Sequence, residues 1–201
     1  MRQVLSMPNK YPSWRWLVCF FSIVVLGVAL DLLSKDAISG TLPSDQRVRA
    51  AFKQNDIIPN WFSLLTNYTL NQGALFSLGN DFGIKANTFF ITICCLAVLG
   101  ILAWAFWPHL KRPTIYTITL GFVLAGAIGN CFDRIVYGGV RDWIWVYYRR
   151  GPDDYPFNWP VFNLADCFLV GGAILLILHG IFFPAPTQEK VAVASTEPAK
   201  S

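Results

Sequence analysis

Four long runs of apolar residues constrain the fold of this 201-residue chain more than any other feature of its sequence. They cover about residues 14–33, 86–107, 114–133 and 161–183. A helix needs roughly 20 mostly apolar residues to cross the hydrocarbon core of a bilayer, so each run is long enough to span it. The pattern predicts an all-α membrane protein, a bundle of four transmembrane helices.

The composition agrees with a membrane protein and excludes several other classes. Only 14% of the residues are charged and 54% are hydrophobic, whereas a soluble domain carries about 25% charged residues. A soluble enzyme, a coiled coil and a disordered chain are therefore excluded. The net charge of +4 does not indicate nucleic-acid binding, because the 16 Lys and Arg are scattered without a basic stripe.

The apolar runs define a single integral membrane domain over residues 1–183, with outer loops over residues 34–85 and 134–160. Residues 184–201 contain little that could be buried and are predicted to form a disordered tail. Basic residues before the first run are also typical of a cleaved signal peptide, but the length of that run favours a permanent span.

The charges suggest an orientation for the bundle. Four spans place both termini on one side, together with the short connection 108–113, which carries Lys111 and Arg112. The positive-inside rule makes that side cytoplasmic, although the long outer loops hold more basic residues in total. Ten of the 12 acidic residues lie in the outer loops or at their membrane edges. The carboxylates therefore collect on the outer face.

The first outer loop contains a segment that is too polar to span the membrane. Residues 57–78 are rich in aromatic and branched side chains and are interrupted by Pro59 and Gly73. This composition favours short strands. We expect a small extramembrane β element on the outer side.

Aspartates at the membrane edge are the main candidates for chemistry, because ionisable groups there are energetically costly. The candidates are Asp31, Asp133, Asp142 and Asp166. Asn130 precedes Asp133 and Asn163 precedes Asp166 by three residues, so each amide is predicted to share a helix face with a carboxylate. Small residues at positions 121, 125 and 129 are predicted to bring the third and fourth spans together.

Two carboxylates in a partly dry site share one proton, because both cannot ionise easily. One can then accept a proton from water while the other polarises a carbonyl group, as in aspartic proteases. Three alternatives remain open from the residue types alone. The acids could form ion pairs with Lys35, Arg134 or Arg141, relay protons in a transporter, or belong to a non-enzymatic scaffold.

Other chemistries have less support in the sequence. His109 and His179 lie toward the cytoplasmic side, away from the acids. Ser34 and Lys35 are adjacent, and adjacent helical residues do not face each other, which disfavours a serine–lysine dyad. The five cysteines show no metal-ligand spacing and are expected to be small buried thiols. We expect neither a metal nor an organic cofactor.

Four segments, taken in order, resemble the motif set of the lipoprotein signal peptidases, also called signal peptidase II. They are DLLSK at 31–35, NQGALFS at 71–77, GAIGNCFDRIVYGGVRDW at 126–143 and FNLAD at 162–166. Ser34 and Trp143 depart from the residues commoner in the family, and the stretch 36–60 is longer than usual. The resemblance extends over nearly the whole chain from residue 14 to residue 183.

The resemblance implies an aspartic endopeptidase of the bacterial inner membrane that cleaves prolipoproteins on the amino side of a diacylglyceryl-modified cysteine. It places the catalytic pair at Asp142 and Asp166, although Asp133 is as plausible as Asp142 by position. The implied supporting residues are Asp31, Lys35, Asn71, Gly73, Asn130, Asp133, Arg134, Asn163 and Ala165. The expected partners are lipid-modified prolipoprotein and membrane lipids. The protein is expected to be a monomer with its active site near the periplasmic face.

Overall fold

A computed structural model describes residues 14–39, 53–66, 70–71, 84–105 and 114–183. Four long helices account for most of this part of the chain. They are α1 (Trp14–Ser34), α2 (Ile84–Ala105), α3 (Thr114–Tyr137) and α4 (Leu164–Phe182). The prediction of a mainly helical protein is confirmed.

Three helical segments are long and apolar enough to cross a membrane: Trp14–Ile38, Ile115–Tyr137 and Leu164–Phe182. The apolar part of α2 that is described, Thr88–Ala103, is shorter. The predicted second span continues to residue 107, beyond the end of α2, so a fourth crossing stays a prediction. The connection 108–113 and the tail 184–201 also lie outside the described residues.

The ends of α3 and α4 differ from the predicted boundaries. Helix α3 continues past residue 133 to Tyr137 and is followed by Gly138, whose φ of 77° suits a left-handed helix terminus. Helix α4 begins at Leu164 instead of residue 161, because Phe162 is paired in extended conformation with Ile144. As a result, Asp133 lies within the last turns of α3 and Asp166 lies in the first turn of α4.

Helix α3 is the centre of the bundle and packs against α1, α2 and α4. The third and fourth spans pack together as expected, but the small-residue stripe on α3 lies mainly against α1, and only Gly129 also approaches α4, where a Cβ would lie 3.5 Å from the Ala165 side chain. A Cβ placed on Gly121 would lie 2.9 Å from Ile23 of α1, and one on Gly27 of α1 would lie 2.7 Å from the Ala125 side chain. Residues spaced by four select one face of a helix, but the spacing does not identify the partner helix.

The close approach of α3 and α4 depends on two other glycines. A Cβ on Gly126 would lie 2.8 Å from the Leu169 side chain and would overlap the carbonyl oxygen of Ala165. A Cβ on Gly172 would lie 2.8 Å from the carbonyl oxygen of Thr119. The contact at Gly126 brings the end of α3 that carries Asn130 close to the start of α4, and the contact at Gly172 holds the opposite end of α3 against the middle of α4.

A four-stranded antiparallel sheet accompanies the helices, in the order β1-β2-β3-β4. The strands are β1 (Lys53–Ile58), β2 (Phe62–Thr66), β3 (Ile144–Tyr148) and β4 (Phe157–Asn158). The prediction of a small β element is confirmed, with two differences. The first strand begins at Lys53 instead of residue 57, and the second outer loop contributes β3 and β4.

Backbone pairing connects the sheet to the helix ends. Asn71 pairs with Val140 through two hydrogen bonds of 2.9 and 2.8 Å. Residue Ile144 pairs with Phe162 through bonds of 2.8 and 3.0 Å. The segment that follows α3 is therefore held between the first outer loop and the start of α4, and this segment carries Asp142.

The five cysteines are free thiols. Cys131 is buried, but Cys19, Cys95 and Cys167 are exposed, so the expectation of buried thiols was wrong for these three. Apolar residues of a bundle helix can face outward, because the lipid, unlike water, does not penalise an exposed apolar face. A thiol within an apolar run is therefore not necessarily covered by protein.

Candidate active site

The four candidate aspartates lie at one end of the bundle. Asp31 is near the end of α1, Asp133 near the end of α3, Asp166 in the first turn of α4, and Asp142 in the segment between α3 and β3. Asp31 and Asp133 are completely buried and Asp142 is 3% exposed, whereas Asp166 is partly exposed. Burial of this many carboxylates requires compensating donors or cations for each one.

Asp142 receives hydrogen bonds from two side-chain amides. The Nδ2 atom of Asn163 donates to its Oδ1 at 2.7 Å, and the Nδ2 atom of Asn71 donates to its Oδ2 at 3.0 Å. Asn71 is held in place by its backbone pairing with Val140. Both carboxylate oxygens of Asp142 thus face neutral donors.

Asp166 also receives two hydrogen bonds from neutral groups. Asn130 Nδ2 donates to its Oδ1 at 2.9 Å, and the backbone N–H of Asn163 donates to its Oδ2 at 3.2 Å. The backbone N–H of Asp166 in turn donates to Oδ1 of Asn163 at 3.0 Å. The last two bonds form a capping box at the start of α4.

Asn163 is the residue that connects the two carboxylates. The expectation that it shares a helix face with Asp166 was wrong, because Asn163 precedes α4 as its N-cap with extended backbone angles of −138° and −178°. From this position its oxygen caps the helix of Asp166 while its nitrogen donates to Asp142. One amide therefore fixes the relative position of both acids.

Lys35 occupies the buried space between the other acids. It follows α1 in a π-helical turn, Lys35–Ser39, and its side chain has no exposed surface. Its Nζ atom donates to Asp31 at 2.7 Å and to Asn130 Oδ1 at 3.1 Å, and lies 3.3 Å from Asp133 Oδ2. The ammonium group neutralises charge on both α1 and α3.

Asp133 is held by a second cation, Arg141. Its carboxylate accepts bonds from the backbone N–H, Nε and a terminal nitrogen of Arg141 at 2.9, 3.1 and 2.7 Å. Another terminal nitrogen of Arg141 contacts Asp36, and the guanidinium lies 4.3 Å from the ring centroid of Tyr137. Arg141 was considered only as a possible ion-pair partner of the acids and Asp36 was not included, although an acid directly after Lys35 is a visible signal in the sequence.

The partners separate the four acids into two kinds. Asp31 and Asp133 form buried ion pairs with Lys35 or Arg141. In the part of the chain that the structure describes, neither Asp142 nor Asp166 has a cation within ion-pair distance, and their hydrogen-bond donors are amide groups. The ion-pair alternative considered from the sequence thus applies to Asp31 and Asp133 and not to the other two.

The electrostatic environment of Asp142 favours its protonated form. Burial, with a further contribution from the charge of Asp166, raises the pKa of Asp142 to about 7. Hydrogen bonds from Asn71 and Asn163 and the charge of Lys35 oppose this shift. Arg134 is buried, interacts electrostatically with both Asp142 and Asp166, and lies over the Phe90 ring at 5.1 Å from its centroid.

The remaining predicted residues have varied positions. The backbone N–H of Ala165 donates to Oδ1 of Asp31 at 2.9 Å, which connects α4 to α1. Ser34 donates to the backbone of Asp31 at 2.8 Å, an arrangement within α1 that does not engage Lys35 as a catalytic partner. His179 stacks edge-on against Tyr116. Gly73 lies outside the described residues.

No group of three or more metal-ligating side chains occurs among the residues that the structure describes. The arrangement instead contains two carboxylates with neutral amide partners, surrounded by buried ion pairs. Such a pair can hold one proton between its members and exchange it with a bound water or a carbonyl group.

Comparison with known proteins assigns this helical membrane protein to the peptidases. The family described as signal peptidase (SPase) II matches residues 23–182. The chain belongs to the signal peptidase II family. The alternative of a proton-coupled transporter has no support from this assignment.

Several curated relatives are named lipoprotein signal peptidase. The chain is 36% identical to the protein of Rhodopirellula baltica, over 87% of this chain and 76% of the relative. It is 35% identical to the protein of Serratia proteamaculans, over 92% of this chain and 98% of the relative. The similarity therefore extends over both outer loops and all four long helices.

Two solved structures of a bacterial membrane enzyme share the fold. Each aligns with a TM-score of 0.59, at 23% and 24% sequence identity. The first alignment covers 97% of this chain and 98% of the solved chain, and the second covers 89% and 99%. The overall arrangement of helices and sheet is thus that of a known membrane enzyme.

Proposed function

We propose that this protein removes signal peptides from lipid-modified bacterial prolipoproteins, by cleavage on the amino side of the diacylglyceryl-modified cysteine. Membership of the signal peptidase II family and the names of the curated relatives support the reaction class. The lipid modification and the position of the cut follow from the resemblance of the four sequence motifs.

The proposed catalytic pair is Asp142 and Asp166. One observation carries this assignment: among the described residues these two acids have only amide donors and are joined through Asn163, whereas Asp31 and Asp133 are neutralised by Lys35 and Arg141. A carboxylate held by two cations is a poor proton acceptor, because protonation would break its ion pairs. Asp133, which the sequence alone left as plausible as Asp142, is bound by both Lys35 and Arg141 and is therefore not proposed as a member of the pair.

In the proposed reaction the two aspartates share one proton before substrate is attacked. The ionised carboxylate takes a proton from water as the water oxygen bonds to the scissile carbonyl carbon, and the protonated carboxyl gives its proton to the carbonyl oxygen. The resulting diol collapses when the first carboxyl protonates the departing amide nitrogen and the second recovers a proton from the diol. The carbon–nitrogen bond breaks and the pair returns to its starting state.

The supporting residues are proposed to position this pair and the substrate. Asn71 and Asn163 orient Asp142, and Asn130 orients Asp166. Asp31, Lys35, Asp133 and Ala165 form the buried contacts that hold α1, α3 and α4 together at this end. Arg134 contributes positive charge near both acids. Gly73 remains a proposed substrate-side residue on the basis of the motif alone.

A substrate that is itself anchored in the bilayer would reach this site sideways between helices. The outward faces of the helices carry exposed apolar side chains, among them Leu96 and Leu99 of α2, Ile135 of α3 and Ile177 of α4. Such surfaces suit acyl chains and an apolar signal helix. The proposed location is the bacterial inner membrane, with cytoplasmic termini, a site near the periplasmic face and a monomeric enzyme.

The test of this function is a cleavage assay with purified protein in detergent. The substrates are one prolipoprotein in diacylglyceryl-modified and unmodified forms, and the product is followed by gel shift and by mass spectrometry of the new amino terminus. We expect cleavage of the modified form only, directly before the lipidated cysteine. Equal cleavage of both forms would contradict the proposed specificity, and cleavage of neither by folded protein would contradict the proposed reaction.

A further inference from the structure

The amide of Asn130 lies between the buried Lys35 ammonium and the carboxylate of Asp166. Lys35 donates to Oδ1 of Asn130 at 3.1 Å, and Nδ2 of Asn130 donates to Asp166 at 2.9 Å. An ammonium group has donors and no acceptor, so the oxygen of Asn130 must face Lys35. Asn163 also donates to that oxygen, at 3.2 Å. The Asn130 amide is therefore fixed with its N–H group toward Asp166.

Lys35 is itself fixed in this position. Its Nζ atom lies within 3.3 Å of three oxygen atoms, one each from Asp31, Asn130 and Asp133. Three acceptors match the three N–H bonds of an ammonium group. The side chain is completely buried and extends from a π-helical turn, a rare geometry that recurs at functional sites.

The two members of the catalytic pair differ in how their charge is stabilised. Asp166 lies in the first turn of α4, where the helix dipole favours a negative charge, and its second oxygen accepts from the backbone N–H of Asn163. Asp142 lies in a non-helical segment, and its carboxylate accepts from the side-chain amides of Asn71 and of Asn163, the N-cap of α4. The surroundings thus favour a charge on Asp166 over a charge on Asp142.

We propose that Lys35 is a positioning residue, which acts through Asn130 to keep Asp166 as the ionised member of the pair and leaves the shared proton on Asp142. This proposal rests on the proposed function and states which aspartate accepts a proton first and which donates one. Asp166 takes the proton from the attacking water, and Asp142 gives its proton to the carbonyl oxygen. The pKa of Asp142, raised to about 7 by burial and by the charge of Asp166, agrees with this assignment.

Other charged groups near the pair do not produce the same asymmetry. Arg134 on α3 interacts electrostatically with both acids. The carboxylate of Asp31 on α1 opposes a charge on Asp166 but is paired with Lys35. Asp133 is bound by Lys35 and Arg141. The charge of Lys35 acts through space on both Asp142 and Asp166. Among the described residues, its contact with Asn130 is the one that connects a buried cation through a single amide to one member of the pair.

The experiment measures kcat and KM for the lipid-modified prolipoprotein between pH 5 and pH 9, for Lys35→Met, Asn130→Ala and the combined variant. We expect the acidic limb of kcat to move to higher pH by roughly one unit in each single variant, because the ionised state loses a stabilising donor or charge. KM should change little. The combined variant should shift the limb no further than the single variants, because both changes interrupt one chain of contacts.

Arg141→Met is the matched control, because it removes a buried cation that contacts Asp133 and not Asn130. We expect it to lower the unfolding temperature while the acidic limb keeps its position. An equal limb shift in this control would overturn the inference, and so would additive shifts in the combined variant.

An unmoved limb in either single variant, with the fold retained in thermal unfolding, would also overturn the inference. If Lys35→Met does not fold, the test is the comparison of Asn130→Ala with Arg141→Met, in which only the former should move the acidic limb of kcat. Failure of the proposed function is distinguishable, because it appears as absence of cleavage by the unmodified protein.

Discussion

The side-chain amide of Asn163 donates a 2.7 Å hydrogen bond to Oδ1 of Asp142. The same residue caps α4, so the helix that carries Asp166 begins at the group that orients Asp142. Helix formation and assembly of the proposed catalytic pair are thus coupled through one side chain. This coupling explains why two acids far apart in sequence reach a defined relative position.

The two roles of Asn163 can be separated by substitution. Asn163→Ser and Asn163→Ala both remove the amide that donates to Asp142, and we expect cleavage to fall about a hundredfold in both, because the carboxyl is no longer oriented. Serine still caps a helix, whereas alanine does not. Only the alanine variant should therefore lose roughly 1 kcal/mol of stability.

The measurement compares single-turnover cleavage with denaturant unfolding in detergent for both variants. Retention of full activity by Asn163→Ser would show that the bond to Asp142 is unimportant. Equal unfolding free energies for the two variants would contradict the role of Asn163 as a cap.

Asp133 is expected to stabilise the fold instead of taking part in proton transfer. Asp133→Asn removes the charge that pairs with both Lys35 and Arg141. Breaking a buried ion pair from one side costs roughly 3–5 kcal/mol. The control is Asp36→Asn, because Asp36 contacts the same Arg141 with a side chain that is 44% exposed. That change should cost less than about 1 kcal/mol, and equal losses of unfolding free energy would contradict the distinction.

Two neighbouring glycines in α4 test the contact between α3 and α4. A Cβ on Gly172 would lie 2.8 Å from both the Thr119 carbonyl oxygen and the Val123 side chain, whereas one on Gly171 would meet nothing within 4 Å. We expect Gly172→Ala to cost roughly 1–3 kcal/mol because backbone atoms must move apart. Gly171→Ala should leave thermal unfolding and cleavage nearly unchanged, and equal effects of the two changes would count against this packing.

The raised pKa of Asp142 predicts a dependence of stability on pH. The folded protein holds a proton on Asp142 up to about pH 7, whereas an unfolded aspartate loses it near its ordinary value of 3.8. The folded state therefore binds more protons between these values, so this contribution to stability is lost as pH rises from about 4 through 7.

We expect the unfolding temperature in detergent to fall between pH 5 and pH 8 for the unmodified protein. The fall should be smaller in Asp142→Asn, which cannot ionise at this position. An identical decrease in both proteins would contradict a raised pKa at Asp142.

The sequence predicted the kind of fold well, because hydropathy alone identifies helices that must satisfy their own backbone in lipid. The long helices and the presence of a small sheet followed from it. The packing partner of the small-residue stripe did not follow, since Gly121 lies against α1 and only Gly129 also approaches α4. Strand β3 was also missed, because the short aromatic segment Ile144–Tyr148 is equally typical of residues at the headgroup level.

For the candidate site, sequence reasoning selected the chemically important side chains but not their connections. The four aspartates and their amides were found because polar groups at a membrane edge are rare. Asp133 and Asp142 could not be told apart from the sequence, because the fold determines that Arg141 binds Asp133 and not its neighbour Asp142. The N-cap role of Asn163 depends on an extended backbone at residues 161–163 that three-residue spacing does not indicate.

Asp142 and Asp166 are proposed to activate water together. The most direct test measures single-turnover cleavage of a diacylglyceryl-modified prolipoprotein by Asp142→Asn and by Asp166→Asn, with thermal unfolding of each variant in the same detergent. We expect both variants to stay folded and neither to produce detectable product. Cleavage at a rate near that of the unmodified protein by either folded variant would contradict this proposal.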